Sequence, residues 1–313
     1  MPQPIRSLKP RQFRLGTSVG FLAPVLLFSV GCGRELPQLV RDVLRAEVEA
    51  WLARRVESLH DPDGWLSVVG LDWLEPGENT FGGGPTNDVV FPGEGVPERA
   101  GAFILEGDSV RMEVEPGVQV TYQGEPVSSM VLASPGMRRP VSVLMGSLRW
   151  QVIERQDLTG IRVRDTASAA VQAFEGIERF PVSLSWRIPA RFDRSDPPRV
   201  IEVPNVLGQI SEQESPGAIV FRVDGERLRL DVTGDPEGGS FFIVFGDQTN
   251  GSETYGGGRF LSVDAPDEKG RTFVDFNLAY NPPCVFTPFA TCPLPTPQNR
   301  LPVGIEAGEK AYH

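Results

Sequence analysis

From Leu36 to Leu59 apolar residues recur at steps of three and four: Leu36, Leu39, Val40, Val43, Leu44, Val48, Trp51, Leu52, Val56 and Leu59. That period lays them along one side of an amphipathic helix. Glu47, Glu49, Arg54, Arg55 and Glu57 occupy the rest of its surface, and Asp61-Pro62-Asp63-Gly64 supplies the turn chemistry that ends it. After Gly64 the pattern changes to short apolar runs separated by Gly, Pro, Asp and Asn at roughly 8–12-residue spacing, the signature of an antiparallel sandwich or barrel. One set of candidate strands begins with Trp65 to Leu71 and includes Leu148 to Ile153 and Ile161 to Val163. A second includes Ser183 to Ile188, Val200 to Val203, Ala218 to Val223, Phe260 to Val263 and Thr272 to Asp275. The expected fold is mainly β: one amphipathic helix, then an antiparallel β-sandwich or barrel-like body with room for two β subdomains. The corresponding division is a leader over 1–32, a helix over 33–62, and β subdomains over 63–188 and 189–313. The Pro189 to Pro198 region, carrying Arg191, Asp193 and Arg194, is read as the junction.

Composition agrees with this reading. With 313 residues the chain can bury a substantial core, and 34 Gly with 29 Pro favour turns over long helices. The first 32 residues carry Arg6, Lys9, Arg11 and Arg14 without an acid, then an apolar run from Leu15 to Val30 that is short for a membrane span. The run closes on Ser29-Val30-Gly31-Cys32, which resembles the lipobox at which bacterial lipoproteins are cut and acylated, although Ser29 stands where Leu is commoner. The expectation is export to the cell envelope and membrane anchoring through Cys32; the alternative is an uncleaved anchor or a signal peptide of another type. Removal of the leader takes the formal charge from −11 to −15. So acidic a body argues against nucleic acid as a partner.

Histidine limits the chemistry. His60 and His313 are the only two in the sequence, so a Ser-His-Asp triad and a multi-His metal centre are not expected. His60 at a helix end suits the helix dipole. Cys284 and Cys292 pair most simply as a disulfide in an oxidising compartment. As free thiols they would pack, react, or hold a metal with help from Asp275 or Glu306, at a spacing that is not a strong zinc signature. No cofactor is expected.

The polar loop Asp247 to Arg259 includes Tyr255-Gly256-Gly257-Gly258-Arg259. Its glycines allow close backbone approach to a bound group, and Arg259 can fork onto a carboxylate or phosphate. It can equally pair a buried acid such as Asp275. Asp275, Asn277, Tyr280 and Asn281 precede Pro282-Pro283, where they either line a pocket mouth or satisfy loop backbone groups. Arg162 and Arg164 share one face of a strand, as an anion site or a solvated charge ladder. The ligand-binding candidates are therefore Tyr255, Arg259, Asp275, Asn277, Asn281, Cys284, Cys292 and Glu306.

Two family resemblances enter here. Phe81 to Arg164, with Asp88-Val89-Val90-Phe91 and a Gly124 turn before Val127, resembles the small sandwich of forkhead-associated domains. Pro97-Glu98-Arg99-Ala100-Gly101 lacks the Ser and His that those domains use to read phosphothreonine. Gly64-Trp65-Leu66-Ser67-Val68-Val69-Gly70-Leu71-Asp72-Trp73-Leu74, Gly77 to Gly82, Thr254 to Leu261, Asp275 to Pro295 and Ala307-Gly308-Glu309-Lys310 resemble the uncharacterised domain-of-unknown-function family 1684, from about Val48 to Lys310. That resemblance implies no activity. Three functions follow from the residues: binding of a small polar or anionic ligand, hydrolysis by carboxylates such as Asp275 and Glu306 with Arg259 as electrophile, or an envelope structural role with partner docking through the first helix.

Overall fold

The computed structural model describes residues 37–137, 141–234 and 238–312. The leader, the lipidation candidate Cys32 and His313 lie outside the described residues. In chain order the first elements are α1 (Gln38–His60), β1 (Val68–Trp73), β2 (Gly77–Gly82), β3 (Val89–Val90), β4 (Gly101–Glu106), β5 (Ser109–Val114), β6 (Thr121–Tyr122), β7 (Glu125–Pro126) and β8 (Ser129–Ala133). Then follow β9 (Ser142–Met145), β10 (Leu148–Arg155), β11 (Leu158–Asp165), α2 (Ala169–Ala173), β12 (Arg187–Pro204), β13 (Ile210–Val223), β14 (Glu226–Val232), β15 (Ser240–Phe245), β16 (Arg259–Asp264) and β17 (Arg271–Asp275). The mainly β architecture behind one long helix is as the hydrophobic periods predict.

Two sheets enclose the first core. Their strand orders are β1-β11-β10-β9-β6-β7 and β3-β2-β4-β5-β8. Alternation along β10 and β11 sends Leu148, Trp150, Val152, Ile161 and Val163 inward, where they meet Phe81, Phe103 and Met112 of the facing sheet and Phe91 just beyond β3. Phe81 stacks on Phe103 with ring centroids 4.4 Å apart, and Phe91 meets Trp150 edge-on at 4.9 Å. Each such fully buried side chain contributes about 1.5–3 kcal/mol of transfer free energy. The same alternation directs Arg149, Gln151, Arg162 and Arg164 to the opposite face, because Arg149 pairs with Arg164 and Gln151 with Arg162 across the ladder.

A second core lies under the sheet β14-β13-β12-β17 and the ribbon β15-β16. It holds Ile219, Phe221, Leu230, Phe241, Phe245, Val274 and Phe276, and is closed by Leu301, Ile305 and Ala307 of the C-terminal segment. The Pro189 to Pro198 region, read as a junction, runs inside β12. The register between β12 and β13 shifts between Arg194 and Arg199, and this bulge accommodates Pro197 and Pro198, which have no N–H to give the ladder.

The apolar stripe of α1 is only partly covered. Val48 and Leu59 are buried, whereas Leu39 is 75% exposed and Val43 49%. Gly64 stops the chain beside the helix end: its N–H donates to Asp61 O, and a Cβ there would lie 2.5 Å from Leu59 O. Among the described residues no helix is long and apolar enough to cross a membrane.

Candidate functional site

Arg259 begins β16 and is fully buried. One Nη2–H donates to Asp247 Oδ2 at 2.9 Å and another to Ile305 O at 2.9 Å, while Nη1 donates to Ala307 O and Glu309 O. Its guanidinium also lies 5.3 Å from the Phe245 ring centre. Desolvation lowers its pKa, opposed by the Asp247 charge. The buried acid that pairs Arg259 is thus Asp247 rather than Asp275. The loop glycines approach the protein itself. A Cβ on Gly258, whose φ is +85°, would strike Phe245 O and Pro295, and one on Gly257 would strike the Tyr255 ring. Tyr255 itself is half-buried.

Asp275 ends β17, where its Oδ2 accepts from Arg187 Nη1 at 3.1 Å and its Oδ1 caps the turn by accepting from the Asn277 backbone N–H. Asn277 exchanges hydrogen bonds with the Ser183 backbone. Asn281 donates to Lys310 O, and its backbone N–H donates to Glu309 Oε2 at 2.7 Å. These side chains satisfy backbone groups, the second of the two alternatives for this cluster. Glu306 is exposed and shares no hydrogen bond or ion pair with Asp275.

Glu309 was not among the site candidates, yet it anchors α1. It is buried and accepts from Arg55 Nε at 3.1 Å, and Arg55 Nη2 donates to Asn281 O. The Arg55 guanidinium lies 4.9 Å from the Tyr280 ring centre. Burial raises the Glu309 pKa against the opposing Arg55 charge; burial likewise raises that of Tyr280. The helix period marked Arg55 only as surface, since its partner is 254 positions away.

Cys284 and Cys292 stand at disulfide distance, with their Cα atoms 6.2 Å apart. They border a cluster of Phe260, Ala290, Tyr280 and Trp65. Among the described residues there is no group of three or more His, Cys, Asp and Glu that could hold a metal ion. Two concavities, of about 260 Å³ beside Asp193, Arg227 and Arg229 and about 60 Å³ beside Asp231, Thr296 and Asn299, are lined by none of the eight candidates.

The outer face of β10 and β11 gathers positive charge. It carries Arg149, Arg155, Arg162 and Arg164, yet Arg162 is only 4% exposed and Arg164 7%. They are not a solvated ladder. Trp65 lies over Arg162, its ring centre 5.1 Å from the guanidinium carbon. Arg155 Nε donates to Thr291 Oγ1 at 2.7 Å, tying this face to the segment between the cysteines. Of the four arginines, only Arg149 has an ion-pair partner among the described residues, Asp63 at 2.8 Å. Nε and Nη2 of Arg162 and Nε of Arg164 are buried without an acceptor. Burial first, then the charges of Arg155 and Arg164, push the Arg162 pKa down to about 10. Burial also lowers that of Arg164, with the Asp63 charge opposing. Both stay cationic at neutral pH. The arrangement is a partly desolvated patch of positive charge with hydrogen-bond donors to spare. The two-residue spacing of Arg162 and Arg164 announced their shared face; Trp65, Arg149 and Arg155 had no such signal.

The fold and this face define a β-rich chain with a positively charged, donor-rich patch. Residues 172–310 match the family model described as "Protein of unknown function (DUF1684)". The resemblance read from the sequence therefore holds over that segment, while the Gly64 to Gly82 motif lies before it. Among solved structures, the chain is similar to an uncharacterized protein of Haloarcula marismortui determined by solution NMR. Identity is 28%, with 44% of this chain and 78% of that chain covered and a TM-score of 0.37. No curated protein matches.

Proposed function

We propose that this chain is an exported, lipid-anchored β protein that binds a small polar or anionic ligand, and that the arginine face of β10 and β11 receives it. The observation that carries the reading is the burial of Arg162 and Arg164 with unfilled N–H groups and a single ion-paired neighbour. A guanidinium removed from water without an acceptor is costly, and an anionic ligand relieves that cost. Arg259, the earlier candidate, has Asp247 and three carbonyls as partners and offers a ligand little.

The test is thermal unfolding of the mature protein against a panel of carboxylates, phosphates and sulfate. A ligand at about 100-fold excess over its Kd adds about 2.7 kcal/mol, or roughly 4–5 °C in Tm for a chain of this size. The shift should vanish in R162Q/R164Q. A panel that leaves the wild-type Tm unchanged would overturn the reading. Export and anchoring rest on the Met1 to Cys32 pattern and are tested by the mass of the mature N-terminus, where an unmodified Cys32 in a full-length chain rejects them.

A second reading, docking to a partner through α1, draws support from the exposed Leu39, Val40 and Val43. L39E/V43E should then abolish co-purification of a specific envelope partner without lowering Tm. Unchanged co-purification counts against it.

A further inference from the structure

The orphan donors of Arg162 are specific atoms. Nε–H and one Nη2–H lie side by side along one edge of the planar guanidinium, parallel and about as far apart as the two oxygens of a carboxylate or phosphoryl group. Both atoms on that edge lack an acceptor. A solvated charge ladder would leave these groups in water, whereas the buried Arg259 gives its Nη2–H groups to Asp247 and Ile305 O and leaves only Nε without an acceptor. Here the indole of Trp65 lies against the guanidinium and lowers the local dielectric, which strengthens any hydrogen bond formed there. Arg155, held by Thr291, and Arg164 add positive charge from either side.

We propose that the Nε/Nη2 edge of Arg162 is a side-on seat for one oxyanion group, a carboxylate or a phosphoryl group that presents two oxygens in the guanidinium plane. The inference rests on the anion-binding reading above and adds to it the geometry of recognition: selection is by paired oxygens and not by negative charge alone. Arg164 Nε, also unfilled, supplies a third donor to the same anion. The half-buried Trp65 ring lies 5.1 Å from the guanidinium carbon, so an anion seated on the edge alters the electrostatic field at the indole. Ligand binding therefore changes tryptophan emission.

The experiment titrates full-length mature protein with succinate, inorganic phosphate and thiocyanate, the last being an anion without paired oxygens. Binding is followed by calorimetry and tryptophan fluorescence in wild type, R162K and W65F. Succinate or phosphate should bind the wild type at least about tenfold tighter than R162K, which keeps the charge and loses the fork. Thiocyanate should bind neither protein comparably, and the emission change should be absent in W65F. Whichever of succinate and phosphate binds tighter identifies the group as carboxylate or phosphoryl.

Equal affinity of R162K and wild type, or thiocyanate binding as tightly as the oxyanions, overturns the side-on seat while leaving anion binding standing. No binding of any of the three to wild type brings down both. Should R162K fail to fold, the Arg162 Nε–H resonance in wild-type NMR spectra gives the same answer. It moves downfield on addition of the oxyanion if the seat is filled, and stays in place if it is not.

Discussion

Replacing Arg259 by Leu separates a structural arginine from a ligand clamp. In the folded chain the guanidinium is sealed from solvent and holds Asp247, while other N–H groups of Nη1 and Nη2 tether Ile305, Ala307 and Glu309 of the C-terminal segment. Leucine fills much of the volume and none of these bonds. Removing one partner of a buried pair costs about 3–5 kcal/mol, and each buried carbonyl left without a donor costs about 1–3 kcal/mol where the segment cannot turn to water. The segment can relax in part, so the expected loss is at least about 4 kcal/mol, a large share of the roughly 5–15 kcal/mol that stabilises a typical domain.

Urea unfolding followed by far-UV circular dichroism measures the loss directly, with the denaturant slope as a check on two-state behaviour. In a cycle with Asp247→Leu the second substitution should cost less than it does alone, because it no longer strands a buried charge. If Arg259→Leu unfolds within about 1 kcal/mol of wild type with an unchanged slope, the buried-pair argument is refuted. The guanidinium would then be free for a ligand, as the glycine loop alone suggests.

Cys284→Ser with Cys292→Ser should lower stability by about 2.5 kcal/mol through the loop the bond closes; thiol alkylation and mass spectrometry on protein from its native compartment check the bond itself, and two free thiols there would reject the pairing. Asp267 accepts from Arg271 and from the Lys269 and Arg271 backbone N–H groups, which lower its pKa to about 2. With the folded value depressed, its contribution is complete above the ordinary carboxylate value of about 3.9 and is lost as pH falls through about 2. Urea midpoints across that window should decline more gently in Asp267→Asn; an identical acid limb would contradict the assignment.

The strand and helix periods were legible because each is local. Alternation in Leu148 to Arg155 and Ile161 to Arg164 assigns Trp150 and Val163 inward and Arg162 and Arg164 outward before any tertiary contact is known. The long β12–β13 hairpin was read in pieces, because Pro197 and Pro198 signal a break and only the bulged register shows the strand continuing. Among the candidate residues, Asp275, Asn277 and Asn281 are polar groups serving nearby backbone, a role that local sequence cannot distinguish from a pocket mouth. Arg55 and Glu309 were illegible as a pair for the opposite reason: 254 positions separate them.

The sequence by itself determined the mainly β character, the single long helix, the shared face of Arg162 and Arg164 and the nearness in sequence of Cys284 to Cys292, since all follow from backbone period and short spacing. Tertiary structure alone decided which arginine is consumed and which is left wanting. Arg259 and Arg162 carry the same side chain on neighbouring kinds of strand, yet one meets Asp247 and the carbonyls of a returning segment, and the other meets the face of Trp65. Burial and the supply of acceptors depend on chain segments far apart in sequence, and no local pattern records where those segments return.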